Sequence, residues 1–115
     1  MYNTRYYRSP IDKWYKQSAD FQILNIATEL KRANNWINRN REDLANSCYE
    51  RAFELIDMTA SDPKWSSNKR ELLRCREILG EIYISTVKNA DLNKKLYRNL
   101  LLLNSDAYNA VRERI

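Results

Sequence analysis

Apolar residues recur through most of the chain at steps of three and four, the spacing that lines one face of an α-helix. The clearest run is Ala19, Ile23, Ile26, Leu30, Ala33 and Ile37. It predicts a first long helix, starting near residue 19 and closed by the polar turn Asn38-Arg39-Asn40, with Ser18 or Asp20 capping its start. A second stripe, Ala45, Cys48, Tyr49, Ala52, Leu55 and Ile56, predicts a helix from about Arg41 to Thr59. Glu42 and Asp43 lie in its first turn, where the helix dipole favours negative charge. Ser61-Asp62-Pro63 ends it, because proline disfavours the helical conformation of the residue before it and cannot continue the hydrogen-bond ladder.

A third helix, about Ser67 to Lys88, carries Leu72, Cys75, Leu79, Ile82 and Tyr83. Gly80 falls in its interior, at a cost of roughly 1 kcal/mol relative to alanine, and is expected to permit close contact with another helix. Asn89-Ala90-Asp91 then forms a short turn. Leu92, Leu96, Leu100, Leu103, Ala107, Ala110 and Val111 mark a fourth helix to the C-terminus, with a break allowed near Asn104-Ser105-Asp106. Short connections make successive helices antiparallel neighbours. The expected fold is therefore all-α, an antiparallel four-helix bundle or helical-hairpin array with an aromatic N-terminal arm.

That arm, residues 1–17, is set apart from the helical domain, 18–115. Tyr2, Tyr6, Tyr7, Trp14 and Tyr15 alternate with Arg5, Arg8, Lys13 and Lys16, and Ser9-Pro10 opens a helical turn to about Lys16. Such an arm can lie on its own domain, dock into a neighbouring subunit, or contact a ligand or nucleic acid. The five aromatics are candidate protein-interaction residues, since Tyr and Trp combine a large apolar area with a polar tip.

Between Ala27 and about Pro63, the residues Ala33, Trp36, Ala45, Tyr49 and Ala52 place small and aromatic side chains as a helix pair of the tetratricopeptide repeat does, and the segment resembles that family. Small residues let the helices approach and the aromatics fill the gap between them. The resemblance covers about a third of the chain. Ala33 stands where the repeat usually has glycine, and Pro63 comes late. Because stacked repeats need roughly three copies, one pair implies a repeat-like helical hairpin and does not bring the family's ligand groove with it.

Composition agrees with one helical domain: 115 residues, 43% hydrophobic, one glycine and two prolines. The apolar run Leu100 to Leu103 is far short of a bilayer span, and the first residues lack the apolar segment of a signal peptide. A cytoplasmic protein with no membrane partner is expected. The chain has no histidine, which removes Ser-His and Cys-His nucleophile pairs and histidine-based RNase centres. No enzyme activity, cofactor, metal or small-molecule substrate is expected. Cys48 and Cys75, without a CxxC, read as thiols buried on facing helices. Glu50, Glu54 and Asp57 share one helix face that a hard cation such as magnesium could use, but no partner carboxylates are identifiable and a solvated or salt-bridged face explains them.

Charge adds the remaining candidate. The net charge is +5 and the isoelectric point about 9.3, with the cations concentrated on the third and fourth helices. Arg70, Arg74, Lys94, Lys95 and Arg98 are candidate phosphate contacts, interrupted by Glu71, Glu77 and Glu81 and accompanied by no base-reading motif. The function expected first is a non-enzymatic helical interaction module that self-associates through the aromatic arm. The rival is sequence-independent nucleic-acid binding through the basic face.

Overall fold

Ser18 opens the first long helix by accepting a hydrogen bond from the Phe21 amide at 3.3 Å, which satisfies one of the backbone donors that a helix start leaves unpaired. The computed structural model describes residues 11–112. In chain order its helices are α1 (Ile11–Tyr15), α2 (Ala19–Asn38), α3 (Glu42–Ala60), α4 (Lys69–Ile84), α5 (Ala90–Leu101) and α6 (Ser105–Val111), with a 3-10 turn over Pro63–Trp65. Among the described residues there is no strand. No helix among them is long and apolar enough to cross a membrane.

The helix ends follow from local chemistry. Asn40 takes the left-handed conformation, φ 58°, which asparagine tolerates better than most residues, and this reverses the chain between α2 and α3. Asp62 caps the 3-10 turn through the Lys64 amide, with Pro63 at its first position. The break foreseen near Asn104 is real: Asn104 accepts from the Ala107 amide and starts α6.

α4 stops four residues earlier than the sequence predicts. Ser85 turns extended, and the Lys88 ammonium donates to the carbonyls of Ile82, Tyr83 and Ser85 at 3.0, 2.6 and 2.7 Å. A cation at the C-terminal end of a helix satisfies carbonyls that would otherwise be orphaned and meets the negative pole of the dipole.

α2 packs against α3 and α5, and α4 packs against α3 and α5, so the four long helices close a ring of contacts, with α1 laid on α3 and α6 on α2 and α5. The predicted stripes of α2, α3 and α4 meet inside: Ile23, Ile26, Leu30, Ala33, Ala45, Cys48, Tyr49, Ala52, Leu55, Leu72, Cys75 and Leu79 are buried. On α5 the predicted Leu96 and Leu100 are buried too, and the stripe departs from the prediction at its first position. Leu92 is exposed and its neighbour Asn93 is buried, because Asn93 finds two partners inside. Tyr49 Oη donates to its Oδ1 at 2.7 Å, and its Nδ2 donates to the Leu30 carbonyl at 2.9 Å.

Gly80 does not play its predicted part. Beyond its own turn of α4, no described residue comes within 4 Å of the position a Cβ would take there, so it serves no close contact between helices of the described fold.

Candidate functional site

Of the five arm aromatics, Tyr2, Tyr6 and Tyr7 lie outside the described residues. Trp14 and Tyr15 belong to α1, which packs on α3 of the same chain. Trp14 is buried, and its Nε1 donates to Thr59 Oγ1 at 3.0 Å. Thr59 in turn donates to the Leu55 carbonyl. Tyr15 is half-buried, 2.6 Å from Ser61 Oγ, whose own hydrogen goes to the Met58 carbonyl, so Tyr15 is the donor.

One glutamine ties this end of the chain to the 3-10 turn. Gln22 is fully buried, and its Nε2 donates to the Trp14 carbonyl at 2.9 Å and to Asp62 Oδ2 at 3.0 Å. Its Oε1 accepts from Trp65 Nε1 at 2.7 Å. Lys64 Nζ reaches both Asp62 and the Tyr15 carbonyl. Burial alone would push the Asp62 carboxyl up, but hydrogen bonds from Gln22 and Lys64, with the Lys64 charge, hold it below the usual carboxylate range. Trp65 is buried in this knot. Trp14 is therefore an internal anchor of this fold.

Two carboxylates of α3 are likewise claimed internally. Asp57 receives Arg76 Nε at 2.6 Å, and Glu50 receives Tyr83 Oη at 2.8 Å. Among the described residues no group of three or more His, Cys, Asp or Glu is placed to hold a metal ion. Both cysteines are buried; burial pushes the Cys75 thiol up to about 11 and raises that of Cys48 as well, the direction that makes a thiol unreactive.

The outer face of α4 is the contrasting surface. Leu72, Cys75, Leu79 and Ile82 turn inward, and helical periodicity then sends Arg70, Leu73, Arg74, Glu77, Gly80, Glu81 and Ile84 to the opposite side. Lys69, Arg70, Leu73, Arg74 and Glu77 line a depression there. Arg70, Arg74, Glu77 and Glu81 are exposed and form no ion pair with any described residue. At the C-terminal end Ile84 and, just beyond the helix, Val87 are each 78% exposed.

Exposed side chains of this kind are normal one at a time. Here they flank a helix end whose carbonyls the buried Lys88 holds. Burial draws the Lys88 ammonium below the usual lysine range, against the opposing pull of the Glu42 charge.

The sequence brought Arg70 and Arg74 to notice and the structure keeps them together. Lys94, Lys95 and Arg98 are exposed on a separate helix, α5, beside exposed Leu102. Leu73, Ile84 and Val87 were missed. The signal was present as a second apolar spacing, 73 to 84, out of phase with the core stripe. Against known proteins, the chain matches no family model, no curated protein and no solved structure.

Proposed function

We propose that this chain is a non-enzymatic helical protein-interaction module that self-associates, built on an antiparallel bundle of α2, α3, α4 and α5. The observation that carries this reading is the pair Ile84 and Val87, large aliphatic side chains 78% exposed at a helix end fixed by the buried Lys88. Solvent-exposed apolar groups on an ordered frame favour association, because covering them removes apolar surface from water without a large ordering cost. Burial of Trp14 moves the expected contact away from that part of the arm.

Light scattering of the full chain over a concentration series tests the reading. A mass that rises with concentration supports it, and a constant monomer mass defeats it. A chain beginning at Ile11 keeps Trp14 and separates any contribution of Tyr2, Tyr6 and Tyr7. A cut at Ser18 would remove a buried anchor and confuse folding with association.

The second reading, sequence-independent nucleic-acid binding, is favoured by one observation: Arg70, Arg74, Lys94, Lys95 and Arg98 are exposed and without ion-pair partners among the described residues. Counterion release would make such binding fall about 100-fold between low and physiological salt for roughly four phosphate contacts. Binding of a single-stranded oligonucleotide that persists in high salt would contradict that mode.

A further inference from the structure

The only glycine in the sequence occupies the interior of a helix, where it is a poor helix former, and the fold makes no use of its missing side chain. The space beside it is open. It lies on the outer face of α4, one turn before exposed Ile84 and two turns after exposed Leu73. A helix face with a bare backbone flanked by two aliphatic side chains suits the close approach of a second helix.

The charges on the same face say which helix. Arg70 and Arg74 occupy its N-terminal half and Glu77 and Glu81 its C-terminal half, and none of the four has an ion-pair partner among the described residues. Laid antiparallel on a copy of itself, this face sets the cationic half of each helix beside the carboxylates of the other, twice over. A parallel pairing would set like beside like. Self-complementarity of this kind is what a two-fold interface requires.

We propose that the outer face of α4 docks on the same face of a second copy of this chain, antiparallel about a two-fold axis near the middle of the helix, so that Arg70 and Arg74 face Glu81 and Glu77 of the copy, with Leu73, Gly80 and Ile84 covered. This rests on the self-association proposed above and names its surface. A helix of 16 residues offers a face about 24 Å long, at the small end of interface sizes, so the dimer is expected at concentrations of about micromolar and above.

Sedimentation equilibrium on the full chain tests this directly. Ile84→Asp and Gly80→Leu should each weaken the dimer by about tenfold or more, and Ile84→Asp should melt as the wild type does. The double variants Arg70→Glu/Arg74→Glu and Glu77→Lys/Glu81→Lys should each lose self-association, yet form a one-to-one pair when mixed, which no folding defect can mimic. A wild-type dimer that all these variants leave unchanged, or a mixture that does not pair, overturns the α4 surface while self-association stands. A wild type that stays monomeric at every concentration overturns both.

Discussion

On α2 and α3 the buried Glu29 carboxylate sits between Arg32 and Arg51, each at 3.2 Å, Asp57 holds Arg76 and Glu50 holds Tyr83. On the outer face of α4, Arg70, Arg74, Glu77 and Glu81 meet no such partners among the described residues, and Leu73 and Ile84 stand exposed. The same kinds of side chain are locked in one region and left open in the other. Where a charge is buried, leaving it unpaired is costly; on a solvated helix face a missing partner costs little, so that face is free to be shaped by something other than the fold. The comparison teaches that the α1, α2, α3 side carries stability and the α4 face can carry contact.

The sharpest test replaces Trp14 by Ala. Removing a buried indole that is also hydrogen-bonded to Thr59 should cost about 3–5 kcal/mol in urea unfolding, while Leu73→Ser on the open face should change stability by about 0.5 kcal/mol or less. Equal losses at the two sites would erase the contrast.

Alkaline pH probes the buried side next. Burial raises the Cys75 thiol from 9.0 to about 11 and pushes the Tyr49 phenol up too, so between those pH values the unfolded chain releases protons the folded one keeps. Stability is then full below about pH 9 and falls as pH rises through 11, by on the order of 2 kcal/mol for the thiol alone. Denaturant midpoints from pH 8 to 11 check it, and a flat profile would contradict a buried thiol.

Tyr49→Phe leaves the buried Asn93 Oδ1 without its donor and should cost about 1.5 kcal/mol in the same unfolding assay. The smallest expected effect has the opposite sign. Gly80→Ala should raise stability by about 0.5–1 kcal/mol, since a Cβ meets nothing there. A loss of stability would show that Gly80 is needed inside the fold after all.

The helical frame was legible because apolar periodicity is set by burial, and the stripes of α2, α3 and α4 follow it, with only Ala19, Ile37 and Tyr83 left half-buried. Gln22, Glu29 and Asn93 were not, since a polar residue in a core is decided by partners far along the chain: Asp62 and Trp65 for Gln22, Arg51 for Glu29, Tyr49 for Asn93. The early end of α4 escaped notice for a related reason, because it depends on where the Lys88 ammonium folds back. Of the candidate site, the isolated cations Arg70 and Arg74 could be read from sequence. The exposed Ile84 and Val87 stand outside the core stripe of α4, and a weak spacing out of phase with that stripe was their only signal.

The sharing of Gln22 between two tryptophans has an optical consequence. Trp14 and Trp65 are both buried and both tethered to that one side chain, Trp65 through its ring nitrogen and Trp14 through its carbonyl. Trp36 is the third and last tryptophan, half-exposed on α2 with the Arg39 guanidinium 5.5 Å above its ring. Most of the change in intrinsic fluorescence on unfolding should thus come from a single neighbourhood, the meeting point of the N-terminal segment with the turn before α4. Undocking that corner would shift emission to the red while the rest of the molecule still gives a helical far-ultraviolet signal, which makes the native chain its own label-free reporter of that one event.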